Sequence, residues 1–223
     1  MEKSILKKLL MPLVLIVLAF NFLYAQETKV IKLDPPNKKR GLSVSEACAL
    51  RASVRDWSDK DVDMQTLSDL LWAANGINRD NKKRTAASAM NAQDVDIYVF
   101  MKNGVYIYDA ANNALNLIAG GAHIPDIAMA RQGGNAVAVP NYPVDLILIS
   151  DYSRFRGGSD EKKREWSAVD AGIVSQNIML FCAANGLVTH PRASINEPNM
   201  KKLLALKDTQ ICLLELPIGY PKQ

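Results

Sequence analysis

Hydrophobic and polar residues alternate in the middle of the chain in a pattern that predicts antiparallel strands. Residues Val95–Met101 alternate, Asn103-Gly104 is a typical two-residue hairpin turn, and Val105–Tyr108 returns as a second strand. A strand near Leu115–Ile118 would complete a meander. The run Val144–Ile149 is almost continuously apolar, which indicates a central strand buried on both faces.

Helices are predicted between and beyond these strands. The apolar spacing and stop signals place them at 43–53 with Ser43 or Ser45 as cap, at Met64–Asn75 before Gly76, at 124–131, at 160–185 and at 199–206. The inner face of the longest is expected to carry Trp166, Val169, Ile173, Asn177, Leu180 and Ala184. A last strand is predicted at 209–216. Together these elements predict an α+β fold with a central, mainly antiparallel sheet flanked by helices.

The N-terminal segment is typical of a targeting signal. Lys3, Lys7 and Lys8 precede an apolar run, Leu9–Phe22, which is short for a bilayer span, and the small residue Ala25 follows. We therefore predict a signal peptide over residues 1–25, cleaved before Gln26, and export to the periplasm with no stable membrane span after cleavage. An uncleaved N-terminal anchor is the alternative. Residues 26–42 are polar and predict an extended arm or strand edge leading into one domain over 43–223.

Composition and charge narrow the class of protein. With 223 residues and 48% apolar content, the chain can bury a sizeable core. Its net charge is +4, and half of that lies in the predicted signal peptide, so nucleic acid is not an expected partner. Neither zinc-type Cys/His spacing nor a Walker glycine loop occurs, and we expect no metal site.

Cysteine and tryptophan residues are expected in the core. Cys48, Cys182 and Cys212 are odd in number, widely spaced and set among apolar neighbours. They are interpreted as buried structural thiols, although an exported protein can still pair two of them. Trp57, Trp72 and Trp166 are likewise expected to be core residues.

Three segments carry candidate chemistry. The first is Arg51-Ala-Ser53-Val-Arg55, in which two guanidiniums and a hydroxyl can converge on a phosphate. The second is the loop of small residues from Arg84 through Ser88 and Asn91 to Gln93, whose amides can bond the edge of a flat heterocycle. The third runs from Asp170-Ala-Gly172 through the amide pair Gln176-Asn177 and Asn185-Gly186-Leu187 to the turn 189–194. Taken singly, each pattern also fits an ordinary solvated helix face, a polar loop or a buried amide bonded to a neighbouring helix.

In this order and spacing the segments resemble the nitroreductase family of FMN-dependent oxidoreductases. The resemblance also includes Leu70-Leu-Trp-Ala-Ala-Asn-Gly76 and the closing Leu216-Pro-Ile-Gly-Tyr-Pro221, and it covers about residues 43–221. The stretch Leu71-Trp-Ala-Ala-Asn-Gly-Ile-Asn78 and the hairpin 97–108 look closest to the SagB-like dehydrogenase branch.

The resemblance implies a homodimer with FMN at the subunit interface, where the flavin exchanges hydride with a small-molecule donor and acceptor. Carried over by position, Arg51, Ser53 and Arg55 would hold the phosphate and ribityl chain. Ser88 and Asn91 would contact the ring or ribityl chain, with Gln93 supporting their loop. The backbone of Pro191, Arg192, Ala193 and Ser194 would face the reactive edge of the flavin, and Lys222 is the remaining cation for the phosphate.

Two departures and one difficulty accompany the resemblance. Ala87 stands where many relatives have proline, and Ala193 stands where several have glutamate; His190 is either structural or near the cofactor. A nicotinamide donor is cytoplasmic, whereas the signal peptide predicts export. The leading hypothesis is therefore an exported FMN oxidoreductase with an unknown donor. A flavin-binding electron carrier, a degenerate flavin-free ligand binder and, as a minor alternative, a SagB-like azoline dehydrogenase remain open.

Overall fold

The protein is described here by a computed structural model covering residues 30–127 and 142–222. Its strands are β1 (Val30–Lys32), β2 (Val95–Met101), β3 (Gly104–Asp109), β4 (Ala114–Gly120), β5 (Val144–Asp151), β6 (Val188–Thr189) and β7 (Gln210–Gly219). Its α-helices are α1 (Val44–Leu50), α2 (Met64–Asn75), α3 (Asp160–Ala184) and α4 (Glu197–Leu203). Short 3-10 turns lie at Ala89–Asn91, Ile124–Ile127 and Tyr152–Arg154.

The strands of the described residues form one sheet in the order β1-β4-β3-β2-β5-β7-β6, with every neighbouring pair antiparallel. The strand β5 lies between β2 and β7, and all eight of its residues are buried. This confirms the central strand that the continuous apolar run predicts. Residues 30–32 form the edge strand β1.

Alternate residues of β5 serve two cores on opposite faces of the sheet. Leu146 and Leu148 face α2 and α3, where they join Leu71 and other buried apolar residues. Ile147 and Ile149 face the other way and pack with Met200 of α4 and its neighbours. The predicted α+β architecture, a sheet flanked by helices, is confirmed.

Side-chain caps fix where the helices begin. Ser43 rather than Ser45 caps α1, in a reciprocal capping box with Glu46. Asp63 caps α2 by accepting the Thr66 N–H at 2.8 Å, and Ser159 caps α3. The helix predicted at 124–131 is a 3-10 turn up to Ile127, and the rest of that prediction lies outside the described residues.

The hairpin between β2 and β3 differs from the prediction by one residue. Met101 pairs with Gly104, so the turn residues are Lys102 and Asn103, and Gly104 begins β3. A Cβ on Gly104 would lie only 2.9 Å from the carbonyl oxygen of Ala119 on β4. The glycine therefore permits close approach between strands, and it is not needed for the turn.

The predicted inner face of α3 is wrong. The residues buried against the sheet are Ser167, Asp170, Ala171, Val174, Ser175, Ile178 and Cys182, and Val169 is 61% exposed. Polar side chains occupy the buried face because they find hydrogen-bond partners there, for example Ser150 for Ser167 at 2.7 Å. The expected stripe lies at the margin of the buried face instead: Val169 is exposed, whereas Trp166 and Ile173 are half-buried against the cores.

Two other expectations about burial need correction. Cys182 is buried and Cys212 half-buried, but Cys48 is exposed; all three are free thiols. The three tryptophans are half-buried at the rim of the cores, not inside them. The helix α3 is long and apolar enough to cross a membrane by length and composition alone. It packs on the sheet, however, and a core helix can have the same length and composition.

Candidate functional site

The Arg51–Arg55 segment leaves α1 in an extended conformation and lies against β6. Ser53 forms a parallel bridge with Thr189, and the Val54 N–H donates to the Thr189 carbonyl at 3.1 Å. In an extended segment alternate side chains share a side, so Arg51, Ser53 and Arg55 lie on one side and Ala52 and Val54 on the other. The sequence motif thus places both guanidiniums and the hydroxyl on one edge of the fold.

Positive charge accumulates on this edge. Within residues 30–127 and 142–222, neither Arg51 nor Arg55 has a carboxylate within 4.0 Å. The C-terminal segment brings Lys222 to the end of this segment, where Pro221 bridges to Trp57 and the Lys222 ammonium pairs with Asp56 at 3.2 Å. Two arginines without acidic partners, an exposed serine and a nearby lysine fit an anionic group such as a phosphate.

A groove of about 200 Å³ lies beneath the arginine segment. Its walls come from the segment itself, from the end of α3 and from β6, namely Leu50, Ala52, Val54, Met179, Cys182, Ala183, Gly186, Leu187, Val188, Thr189 and Pro221. The Thr189 hydroxyl oxygen is buried there with no hydrogen-bond partner in the described part of the chain. The groove therefore lies on the Ala52 and Val54 side of the segment, opposite to the arginine side chains.

The turn from Pro191 to Ser194 follows β6 and His190 in the chain. The backbone N–H and C=O of Arg192 are both used, in a bridge to Glu215 at 2.8 Å each. Ala193 and Ser194 are exposed, and among the described residues their backbone N–H groups have no acceptor. Of the four residues expected to face a flavin edge, these two therefore offer backbone donors.

Buried charges hold this turn. The Arg192 guanidinium forms a two-pronged ion pair with Glu215, which is fully buried. Asp145 on β5 is fully buried nearby, and burial together with the charge of Glu215 raises the pKa of Asp145 well above its usual value. Burial therefore favours the uncharged form of Asp145, whereas Glu215 is the carboxylate that Arg192 pairs with.

Glu215→Gln is expected to lower the free energy of unfolding by about 1–3 kcal/mol, because Arg192 loses its charged acceptor. Denaturant unfolding measures this difference. The matched control is Glu197→Gln, whose 3.8 Å pair with Lys201 is solvent-exposed and is expected to contribute less than about 1 kcal/mol. Equal effects of the two substitutions would show that the Arg192 pair does not hold the turn.

His190 has a structural role. It is 2% exposed, its Nδ1–H donates to the Val54 carbonyl at 3.0 Å, and its ring stacks on Trp57. Burial lowers its pKa, so the imidazole is neutral at pH 7. The residue thereby joins the arginine segment to the turn that follows it.

The Ser88–Gln93 loop is held by a separate set of contacts. The Ala89 N–H donates to the Asp170 carboxylate at 2.8 Å, and the Ser88 hydroxyl accepts the Gln93 N–H at 2.9 Å. Arg84 donates to the Gln93 side chain, which supports the loop from within. Met90, Asn91 and Gln93 all have positive φ, a conformation that the surrounding bonds must stabilise. The Asn91 side chain is exposed at the tip.

One protomer does not bring the loop and the arginine segment together. The loop ends at Gln93, just before Val95, and Val95 pairs with Ser150 near the end of β5. The arginine segment lies against β6, whose partner Ile218 pairs with Val144 at the start of β5. The two ends of β5 are separated by roughly 23 Å at strand spacing. Along α3, Asp170 under the loop and Cys182 under the groove are about 18 Å apart. The predicted site residues therefore form two groups at opposite ends of the sheet.

Some contributors were not foreseen from the sequence. Three groups were missed: Trp57 with its ring tilted against Tyr142 and stacked on His190, the Asp145–Glu215–Arg192 cluster, and the polar cluster around Asp94. The two acidic clusters could have been suspected from the sequence, because each has a lone acidic residue beside or within an apolar strand, as at Glu215. Of the amide pair Gln176-Asn177, Gln176 is exposed. The Asn177 side chain donates to the Ala74 carbonyl of α2 at 3.1 Å, so Asn177 is a half-buried amide bonded to a neighbouring helix.

Comparison with known proteins gives relatives along most of the chain. A "putative nitroreductase" of Methanocaldococcus jannaschii is 23% identical over 184 residues, 80% of this chain and 91% of that protein. The crystal structure of a "putative nitroreductase" from Ralstonia eutropha matches with a TM-score of 0.77 at 26% identity, covering 89% of this chain and 93% of that one. The E. coli microcin synthetase McbBCD complex matches with a TM-score of 0.65 over 86% of this chain and 78% of that one.

The last likeness, at 15% identity, shows the fold alone, and the SagB-like branch stays a prediction. The model of the Nitroreductase family matches residues 49–220, a range that contains the arginine motif, the Ser88–Gln93 loop and the turn after β6. The chain belongs to the nitroreductase family.

Proposed function

We propose that the protein is an FMN-dependent oxidoreductase that passes hydride or electrons through a bound flavin to a small organic acceptor. The observation that carries the proposal is the row of Arg51, Ser53 and Arg55, which lies on one side of an extended segment and, among the described residues, has no acidic partner. Membership of the nitroreductase family supports the oxidoreductase class.

The chain's own residues would bind and orient the cofactor. Arg51, Ser53 and Arg55, with Lys222 nearby, would hold the phosphate, and the N–H groups of Ala193 and Ser194 would serve the edge of the ring system. Bound FMN supplies the redox chemistry. The neutral His190 and the Arg192–Glu215 pair would keep the binding turn rigid, and no side-chain acid or base is required at the reacting centre.

The proposal includes a homodimer in which each cofactor site is built from both protomers. The Ser88–Gln93 loop and the arginine segment lie at opposite ends of one protomer, so a single protomer cannot present both to one ligand. Exposed apolar residues border each group: Leu50 next to Arg51, Met90 next to Asn91, and Val169 next to Asp170. A second copy that covers these residues would bring its loop to the first copy's arginines.

Export to the periplasm is also part of the proposal. It rests on the basic and apolar pattern of residues 1–25, which lie outside the described residues. In that compartment the donor would be a quinol or a protein in place of a nicotinamide.

Anaerobic reduction of the bound flavin tests the enzymatic proposal. FMN-loaded protein is mixed with a nicotinamide, a quinol analogue or a reduced carrier protein, and the visible flavin band is followed before a quinone or nitroaromatic acceptor is added. We expect one donor class to bleach the band faster than it reduces free FMN, and the acceptor to restore it. Reduction no faster than that of free FMN with every donor class would contradict the oxidoreductase role.

A further inference from the structure

A buried polar cluster lies under the Ser88–Gln93 loop and takes no direct part in the site described above. Asp94 follows the loop, Ser150 lies on β5, and Ser167 and Asp170 lie on α3; each is at most 2% exposed. The cluster thus joins the start of β2, the end of β5 and the middle of α3.

Three contacts in a row connect the cluster to the backbone of α3. Asp94 Oδ2 lies 2.5 Å from Ser150 Oγ, Ser150 Oγ lies 2.7 Å from Ser167 Oγ, and Ser167 Oγ lies 2.9 Å from the Lys163 carbonyl oxygen. Each contact needs one hydrogen, and the two hydroxyls supply only two. The carbonyl accepts only, so the third hydrogen must come from Asp94. The geometry therefore requires a protonated Asp94 for all three bonds to exist together.

Asp170 is the acceptor side of this cluster. Both of its oxygens lie within hydrogen-bond distance of the Ala89 N–H, at 2.8 and 3.1 Å, so it acts as an acceptor at the base of the loop. A second carboxylate in the same buried place would leave two like charges side by side, which is costly.

The cations around Asp94 have other partners. Arg84, on the segment before the loop, donates to Gln93 and to the Asn75 carbonyl. Arg154, after β5, pairs with Asp96.

The remaining charged groups that face the cluster also place no positive charge against the Asp94 carboxyl. Asp151, at the end of β5, is a further carboxylate in this region, and its side chain accepts the Ser153 N–H. Lys163, one turn from Ser167 on α3, pairs with Asp160. Among the described residues, no cation is placed against Asp94 itself.

We propose that a protonated Asp94 and Asp170, the acceptor of the Ala89 N–H, act as positioning residues that hold the Ser88–Gln93 loop in its left-handed conformation; both residues line the small cavity under that loop. Burial, with the neighbouring Asp170 carboxylate, raises the pKa of Asp94 to about 7, in agreement with the count of hydrogens. The role of this loop in flavin binding rests on the proposed function, whereas the protonation of Asp94 does not.

The pH dependence follows from the sign of the shift. The closed loop keeps the Asp94 proton up to about pH 7, whereas an open loop releases it at the ordinary carboxyl pKa of 3.8. Opening is therefore favoured as pH rises between these values, by up to about tenfold per pH unit, and no further above pH 7. The loop is held most firmly in acid.

Hydrogen exchange of the Ala89 amide in the flavin-free protein tests this. Its protection factor, corrected for the intrinsic exchange rate, is measured from pH 5 to pH 8 in the wild type and in Asp94→Asn, which keeps a donor to Ser150 but cannot ionise. We expect wild-type protection to fall by about tenfold per pH unit up to about pH 7 and then level off. Protection in the variant should not change over this range.

Wild-type protection that is flat with pH overturns the proposal, as does an equal slope in the variant. If the variant fails to fold, the wild-type titration still decides. FMN binding at pH 6, measured separately, tests the proposed function. Protein that binds no FMN but shows the predicted titration would refute the cofactor and leave the role of the protonated Asp94 in place.

Discussion

Replacing both Arg51 and Arg55 with alanine is expected to weaken FMN binding by about two to four orders of magnitude. Each guanidinium would lose a charge-assisted bond to the phosphate, which corresponds to roughly 10- to 150-fold per residue. In the described residues both side chains lack an acidic partner, so their removal leaves no buried charge behind. Fluorescence titration with FMN measures the change, and the unfolding midpoint should stay near that of the wild type.

The matched control is Lys32→Ala. Lys32 is exposed on β1, at the opposite edge of the sheet from β6, and its loss removes one positive charge far from the groove. We expect less than about a threefold change, due only to the long-range field. Unchanged affinity in the double arginine variant, or an equal loss in the control, would refute the phosphate site.

Complementation between two defective variants is the second large expected effect. One variant carries Arg51→Ala and Arg55→Ala. The other carries Asn91→Asp, which removes the amide donor and adds a negative charge but tolerates the positive φ of this position. If each site takes its arginines from one protomer and its loop from the other, a heterodimer of the two variants has one wild-type site and one site with all three changes. We expect it to bind one FMN with wild-type affinity.

Differently tagged, co-expressed chains allow the heterodimer to be purified and titrated beside each homodimer. The homodimers are the controls, and both should bind more weakly than the wild type. If a single protomer supplied the whole site, both sites of the heterodimer would be defective. Absence of any wild-type site in a verified heterodimer would therefore contradict the two-protomer arrangement, and flavin retention by a proven monomer would do the same.

Most of the fold could be predicted from local pattern. The run 144–149 is apolar at every position but Asp145, and a strand with no polar face must be buried on both sides. The bounds of α2 followed from its apolar stripe and from Gly76. These features depend on neighbours in sequence, which is why they can be read without the tertiary structure.

The orientation of α3 could not be predicted this way. Its sheet-facing side carries Ser167 and Asp170, which are stable there only because Ser150 and the Ala89 N–H meet them from distant segments. Apolar periodicity instead selects the stripe containing Val169, a residue that is exposed. Cys48 was misplaced for a similar reason: apolar neighbours in sequence do not determine which side of α1 packs against α3.

The candidate site could be predicted in part. The alternation of Arg51, Ser53 and Arg55 identified side chains that the structure places on one edge. The sequence gives no distance between this edge and Asn91, because that distance depends on strand register. It also could not show that Arg192 is committed to Glu215, since the two residues are far apart in sequence and meet only through the bridge to β7.

Titration of the purified protein with FMN, followed by absorbance and by size-exclusion chromatography, tests the central claim most directly. The account predicts a flavin spectrum shifted from that of free FMN, one FMN per chain, and co-elution of flavin with a dimer. Absence of bound flavin at micromolar protein and excess FMN would contradict it, and the arginine edge would then belong to a site for another anion.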